Sequence, residues 1–521
     1  MIYFLRGIRL SGSIYGRKII HQSVQTSEHN WMRCSTSTIY ALSSFPGRAA
    51  VAVIRVSGPQ VIMVLKSLAR FKNIPEPRKL FLKKIFDPVN NKMLDRGLVV
   101  WFSKPKSFTG EDCCELHIHS GTAVIMSVLQ ALGKLPKTRP AEPGEFTKRA
   151  FLNGKLDLTE VEGIADLLNA ETEAQQQQAL SQMEGCLYNL YSGWKERLKI
   201  CLAHVEAFID FSEDENIEDG ILDLTLKSVQ SVFNEIENHL ADNRRGERLR
   251  SGVKVVIVGE PNVGKSSLLN LICQREVAIV SPLSGTTRDV IEAALNIGGY
   301  PVLVCDTAGL QETEDLVEQE GVKRAFQRLQ QADLIIYVKH CLEFIEQKNI
   351  GELVNNIYKP TFLSAVDANN VDSQKNLRSE DAELLKNSEV IVVINKSDLL
   401  PEEIIKENLK QKLEKECISC SLISCKTEYG LNSFLSLLQN KIKKLCCDSR
   451  TFKPSLTQDR HRFHLVKCQK YLKEYIFEEE TDIAIKAEKL RKGLIELGMI
   501  TGHVCTEEVL DVIFKDFCIG K

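Results

Sequence analysis

Hydrophobic positions change their period several times along the chain. Over residues 38–153 they come in short blocks or alternate: AAVAVIRV at 49–56, then 97–102 and 113–119, read as strands. The first ends at Ser57-Gly58-Pro59 and the last at Ser120-Gly121, both turn chemistry. Residues 122–132 carry helical spacing, and 140–144 reads as loop. From 155 to about 250 the period is helical, with Val161, Ile164, Leu167 and Leu168 on one face; the polar stretch 171–178 is expected to lie exposed inside one long helix. Short buried blocks return at 253–258, 300–305 and 390–394, and 266–272 opens a helix. Beyond 443 helical spacing resumes with Leu465, Cys468, Leu472 and Ile476, and a last amphipathic helix carries Val509, Leu510, Ile513 and Phe514. The pattern predicts a multidomain protein. An α+β domain (34–153) precedes an all-α helical domain in two parts (154–250 and 443–521), with an inserted α/β domain (251–442) between them. The long polar segment 341–387 reads as a surface insertion.

The inserted domain carries the chemistry. GEPNVGKS at 259–266 follows a strand and opens a helix, the context a phosphate loop requires. Backbone N–H groups of Gly259, Asn262, Val263, Gly264 and Ser267 would cradle phosphates, Lys265 would reach the β/γ-phosphates, and Ser266 would ligate Mg²⁺. GTTRD at 285–289 is a first switch: Thr286 and Thr287 face the nucleotide, with Thr287 on Mg²⁺ and the γ-phosphate. Asp306 would hold Mg²⁺ through water, followed by Thr307, Ala308 and Gly309 under the γ-phosphate. NKSD at 395–398 follows a strand. Asn395, Lys396 and Asp398 would grip the base, and the Asp398 carboxylate accepts from two N–H groups on guanine that adenine does not offer. Ser424, Cys425 and Lys426 would close over the base. Together these motifs specify a P-loop G domain that binds GTP with Mg²⁺. Leu310 stands where a water-orienting glutamine is common, so another group must serve hydrolysis. Asn262, the GTTRD loop and the apolar Leu310 resemble potassium-activated GTPases. In that group K⁺ replaces an arginine finger, an effect worth ~10³–10⁵ in rate; the resemblance implies K⁺ held by Asn262 and carbonyls of Ser281, Leu283 and Thr286.

Length and composition narrow the class. The 521 residues suit about three or four domains, and no apolar run reaches the ~18 residues of a membrane span. Sixteen cysteines in so long a chain suggest a reducing compartment, and Cys417 with Cys420 lacks a second pair for a metal knuckle. The formal charge of −2 gives little basic signal for direct RNA affinity. Residues 1–33 differ: Arg6, Arg9, Arg17, Lys18 and Arg33 stand against the single acid Glu28, a pattern that predicts a mitochondrial transit peptide. Gly520 after Cys518 argues against prenylation.

The order of these features resembles the MnmE family of tRNA modification GTPases, in its mitochondrial, GTP-binding protein 3 branch. The resemblance rests on PGR at 46–48 with IRVSG at 54–58, FTGED at 108–112, PGEFT at 143–147, RAFLNGKLD at 149–157, the G-domain set, and CIGK at 518–521. It implies that the N-terminal domain is an aminomethyltransferase-like module that forms a homodimer. That module would bind a tetrahydrofolate one-carbon derivative, the 5,10-methylene or 5-formyl form, through Arg55, Glu115, Lys155 and Lys521. It also implies that Cys518 is catalytic and that Glu318 orients the hydrolytic water. An FAD-dependent MnmG-type partner, a tRNA bound mainly through the complex, and a taurinomethyl group placed on C5 of the wobble uridine in the mitochondrial matrix are further implications. The departures, Ser120 and Lys339-His340-Cys341, are expected to leave the phosphate, guanine and folate residues untouched. The alternative is an Era- or Der-like switch in mitochondrial ribosome or RNA assembly; no GxxG-bearing KH module after 442 supports it.

Overall fold

The computed structural model describes residues 37–211, 220–275, 277–278, 292–306, 331–344, 389–400, 419–446, 455–477, 482–504, 507–515 and 517–521. The chain forms two compact units, residues up to Ala165 together with Thr501–Lys521, and Asp166–Ile500.

The first unit is built on a six-stranded sheet in the order β3 (Phe81–Phe86), β4 (Met93–Phe102), β5 (Cys113–His119), β2 (Val51–Ser57), β1 (Thr38–Leu42), β6 (Thr138–Pro140). Neighbours run antiparallel except β1 and β6, which are parallel. Alternation decides the faces. Ala52, Ile54 and Val56 of β2, with Cys114, Leu116 and Ile118 of β5, point into a core closed by α1 (Val61–Leu68) and α2 (Thr122–Gly133). In α1 the buried residues Val61, Val64, Leu65 and Leu68 recur at one face's spacing, each contributing about 1.5–3 kcal/mol on full burial. The opposite sheet face carries Arg55 directly across from Glu115. Helix α3 (Glu145–Leu152) sends Phe146 into a small core with Ile39 and Ala41 of β1. Its Arg149 is buried and bonded to Glu111 (2.9 Å), Glu145 (2.9 Å) and the Ser37 carbonyl (2.9 Å). Two arginines, Arg139 and Arg149, thereby hold Glu145 ionised against the penalty of burial. The unit closes with helix α13 (Glu507–Lys515): Leu510, Phe514 and Phe517 bury against Leu158 and Val161 of helix α4 (Leu158–Asn169).

The second unit combines a helical bundle with a seven-stranded sheet. The bundle helices are α5 (Glu173–Met183), α6 (Cys186–Phe211), α7 (Gly220–Leu240), α11 (Asp459–Phe477) and α12 (Ile483–Thr501). Their core includes Tyr191, Trp194, Val232, Leu465, Cys468, Leu472 and Leu490. The sheet order is β13 (Cys420–Leu422), β12 (Glu389–Asn395), β11 (Leu334–His340), β7 (Val253–Gly259), β10 (Tyr300–Asp306), β9 (Glu292–Ile297), β8 (Val277–Ala278). It is parallel from β13 to β10 and antiparallel at β9 and β8. The short helix α8 (Arg245–Ser251) leads into β7, and helices α9 (Lys265–Arg275) and α10 (Leu431–Cys446) pack on one face of this sheet around Ile257, Ile336 and Val393.

One expectation fails here. Residues 171–178 do not lie inside a long helix: α4 ends at Asn169 and α5 starts at Glu173. Thr172 is the cap of the new helix, accepting from Gln175 N (3.3 Å), while the Gln175 side chain accepts from Thr172 N (3.1 Å). Such a capping box satisfies orphan N–H groups that a continuous helix would not have.

Candidate functional site

Two groups of functional side chains are built by the two units, each from its own sheet.

In the parallel sheet, the phosphate loop joins β7 to α9 at the carboxyl end of a mostly buried strand. Asn262 and Gly264 adopt positive φ, 63° and 100°, which turns successive backbone N–H groups toward the loop interior. Glycine is required at 264 for a second reason: a Cβ there would lie 2.3 Å from Asn395 Nδ2. Lys265 Nζ donates to the carbonyls of Gly259 (2.9 Å) and Glu260 (2.9 Å), curling back over the loop. Val263 is buried, and Ser266 and Ser267 sit in the first turn of α9. With the helix N-terminus behind it, this loop is a built anion site.

The base-recognition residues converge on the same loop. Asn395, 1% exposed, donates from Nδ2 to the Val263 carbonyl (2.8 Å) and accepts at Oδ1 from Cys425 N (3.1 Å). One amide side chain thus ties the phosphate loop to the loop after β13. Lys396 takes a left-handed conformation (φ 63°), and Ser397 N donates to Ile423 O (3.1 Å). Asp398 Oδ1 accepts from the buried Ser424 hydroxyl (2.6 Å), which fixes the carboxylate plane. Lys426 follows in the same loop. Burial pushes the Cys425 thiol up to about 11, so it packs as a neutral group. Pairing of β10 with β7 sets the Asp306 backbone opposite Ile257, at the end of the sheet where the phosphate loop begins. Ser281, Leu283, Thr286, Thr287, Thr307, Ala308, Gly309 and Glu318 lie outside the described residues.

The expectation that Lys339 and Cys341 leave this site untouched is overturned. Lys339 Nζ pairs with the Glu260 carboxylate of the phosphate loop. The Cys341 thiol donates to the Lys396 carbonyl (3.0 Å), and burial, followed by the charge of Asp398, raises its pKa. The parallel pairing of β11 with β7 brings the end of β11 beside the loop, so the residues after Val338 must meet it.

In the antiparallel sheet, the exposed face is centred on a carboxylate. Arg55 donates to Glu115 Oε1 from Nε (3.2 Å) and Nη2 (3.1 Å), and His117 Nε2 lies 3.2 Å from Glu115 Oε2. The Arg55 guanidinium also stands 5.1 Å from the Phe108 ring centroid. The C-terminal segment is seated beside this face. Ser43 Oγ donates to the Gly520 carbonyl (3.0 Å), and Ile519 makes a β-bridge with Pro143. Burial, and next the charge of Arg55, lower the Lys521 pKa, while Cys518 opposes them. Lys521 is therefore within electrostatic reach of both, and Cys518 is exposed. Lys155 is an exposed residue in the turn after α3; its stem packs near Gly110 of the same 108–112 loop that supplies Phe108. Arg55 and Glu115 thus share the sheet face, Lys521 lies within electrostatic reach of Arg55 and Cys518, and Lys155 reaches the flanking loop. A guanidinium held on one carboxylate, with an aromatic ring beside it and the Lys521 ammonium within electrostatic reach of the arginine, suits a planar, hydrogen-bonding ligand. His117 and Phe108 were missed as site residues. His117 is two positions beyond Glu115 on one strand, and strand periodicity alone puts both on one face.

Among the described residues no group of His, Cys, Asp and Glu is arranged to hold a metal ion, and no helix is long and apolar enough to cross a membrane.

Comparison with known proteins matches both units. The family model described as the MnmE helical domain matches residues 158–518, and that of the GTP-binding protein TrmE N-terminus matches 38–155. A 5-taurinomethyluridine-[tRNA] synthase subunit GTPB3, mitochondrial, of Danio rerio is 53% identical over 487 residues, 93% of each chain. The Homo sapiens protein of the same name is 46% identical over 488 residues, 94% of each chain. A tRNA modification GTPase MnmE of Rickettsia bellii is 42% identical over 485 residues, covering 93% of this chain and 100% of that protein. With its phosphate loop, its Asn395–Asp398 base loop and matches along nearly its full length, the chain belongs to the MnmE family of tRNA modification GTPases.

Proposed function

We propose that this protein is the GTP-hydrolysing subunit of a mitochondrial enzyme that places a taurinomethyl group on C5 of the wobble uridine in tRNA. An FAD-dependent MnmG-type partner would complete the enzyme. The observation that carries this reading is the carboxylate-centred face with Arg55, Glu115, Lys521 and Cys518, in a chain whose second unit holds a guanine-nucleotide site. A switch protein that only checks RNA assembly has no use for such a face. The names of the zebrafish and human relatives support the product and the compartment.

In the G domain (251–442), Asp398 accepts from the guanine edge and Asn395 holds the base loop to the phosphate loop. Lys265 would hold the β/γ-phosphates, and Ser266, Thr287 and Asp306 would hold Mg²⁺, which when bound neutralises the developing phosphate charge. Asn262, at the turn of the loop, would hold K⁺ together with carbonyls of Ser281, Leu283 and Thr286. Glu318 orients the attacking water, the task Leu310 cannot perform.

The residues on the antiparallel sheet fit a tetrahydrofolate one-carbon derivative. Glu115 offers acceptors to a pterin N–H edge, Arg55 and Lys521 favour the glutamate carboxylates, and Lys155 extends the positive rim. The folate, when bound, supplies the one-carbon unit. Cys518, beside Lys521, is exposed and able to donate or accept a proton or to act as a nucleophile. The unit pairs with its counterpart in a homodimer, and GTP hydrolysis opens and closes the G domains to reset the modification site.

The test is mass spectrometry of mitochondrial tRNA nucleosides from cells that lack the protein and from cells that carry Cys518→Ser. Loss of the C5 group in both, with GTP hydrolysis retained by the variant, is expected. A normal nucleoside pool in cells lacking the protein refutes the enzyme and favours the switch.

A further inference from the structure

Helix α11 has two unlike sides. His461, Leu465, Cys468, Leu472 and Tyr475 are buried in the bundle. The opposite side carries Phe463, Val466, Lys467, Lys470, Lys473 and Phe477, which recur at helical spacing along a stripe roughly 21 Å long. Phe463 and Phe477 are 55% and 61% exposed and Val466 is 50% exposed. Phe477 sets one edge against the buried Phe233 (ring centroids 6.3 Å apart) yet leaves most of its ring in solvent, and Phe463 is likewise more than half exposed. The charge is local as well. The outer face of α11 carries three lysines, 467, 470 and 473, while Arg462 is paired with Asp242 and Glu247 and Arg460 donates to the Met499 and Ile500 carbonyls, all within a chain whose formal charge is −2. Of the acids on this helix, Glu474 is taken up by Lys489 of α12 and stands 3.9 Å from Lys470. Lys467 Nζ lies 4.1 Å from the centroid of the Phe463 ring.

Aromatic rings between flexible cations match a strand of nucleic acid: bases stack on the rings while lysines follow the phosphates. A lipid surface would need a continuous apolar face, which lysines 467, 470 and 473 interrupt. We propose that the outer face of α11 is a docking surface for an unpaired or loop segment of RNA. The proposal rests on the function proposed above and makes that RNA the tRNA substrate, bound directly by this subunit.

The test uses full-length protein and a fluorescent transcript of an unmodified tRNA with uridine at the wobble position, read by anisotropy over a salt series. The triple variant K467E/K470E/K473E should weaken binding at least about tenfold and flatten the slope of log affinity against log salt by about two. Phe463→Ala should weaken binding about tenfold and keep the slope. Unchanged affinity and slope in the triple variant overturn the surface. So does a loss confined to phosphatidylglycerol vesicles, with RNA binding kept. Triple-variant cells with fully modified tRNA and an unchanged KM for tRNA refute the docking surface and leave the proposed function standing. Modified wobble uridines in cells without the protein refute the function, while the anisotropy series still decides the surface.

Discussion

Gly520→Ala isolates the seat of the C-terminal segment. Gly520 is buried at φ 100°, and a Cβ there would sit 2.3 Å from the Leu42 carbonyl oxygen, a backbone atom of β1 that does not yield. The left-handed backbone costs an alanine about 1–2 kcal/mol. Shifting the segment also gives up the hydrogen bond from Ser43 Oγ to the Gly520 carbonyl, about 1 kcal/mol net. The sum, about 2–3 kcal/mol, lowers the ratio of docked to undocked segment about 30- to 150-fold. Leu510, Phe514 and Phe517 remain to hold the helix before it, so global unfolding should move little. Lys521 and Cys518 would leave the Arg55–Glu115 face, while the guanine-nucleotide site uses none of these residues. The assay pairs folate binding and single-turnover tRNA modification with GTP hydrolysis and a melting curve. Expected are a loss of modification of more than tenfold, a normal GTPase rate and a nearly normal Tm. Modification at the wild-type rate, or a GTPase defect of equal size, would refute the reasoning.

Glu318→Ala should keep GTP binding and slow hydrolysis severely; an unchanged kcat removes Glu318 from the mechanism. Exchanging K⁺ for Na⁺ should reduce the GTPase rate, and equal rates in both salts deny Asn262 its ion. His239, beside Tyr191 and Trp194, is held neutral: burial drives its pKa down to about 4, Asp242 opposes, and His461 and Arg462 add to the depression. In the unfolded chain it takes a proton near 6.5. The native state therefore keeps this stability above pH 6.5 and loses it as pH falls toward 4, by about 3 kcal/mol at most. His239→Gln should flatten the dependence of Tm on pH between these limits; an unaltered slope means that other groups set it.

The guanine-nucleotide site was legible because its parts are local. Each motif occupies a few consecutive residues after a buried strand, as at Val253–Gly259 and Glu389–Asn395, and the parallel register then brings the strand ends together. The carboxylate-centred face is the reverse case. Arg55, Glu115 and Lys521 come from three distant stretches, so no spacing rule joins them, and only the family resemblance named them together. The contacts of Lys339 and Cys341 were missed for a related reason: which strand neighbours which decides them, and strand order is not written in either strand. The break before α5 was within reach, since Thr172 and Gln175 spell a capping box, but the polar run around them was read as one helix face. The basic stripe of α11 disappeared in the whole-chain charge, which averages one helix face over 521 residues.

The division of the first unit between the two ends of the sequence bears on how the protein is made. Residues 166–500 must leave the ribosome before α13 can cover Leu158 and Val161. Until then the nascent N-terminal unit waits with the apolar side of α4 open, the kind of surface that chaperones hold and that aggregates when left bare. A late frameshift or premature stop that spares both the sheet and the nucleotide site would still leave the earliest-made part of the molecule unfinished.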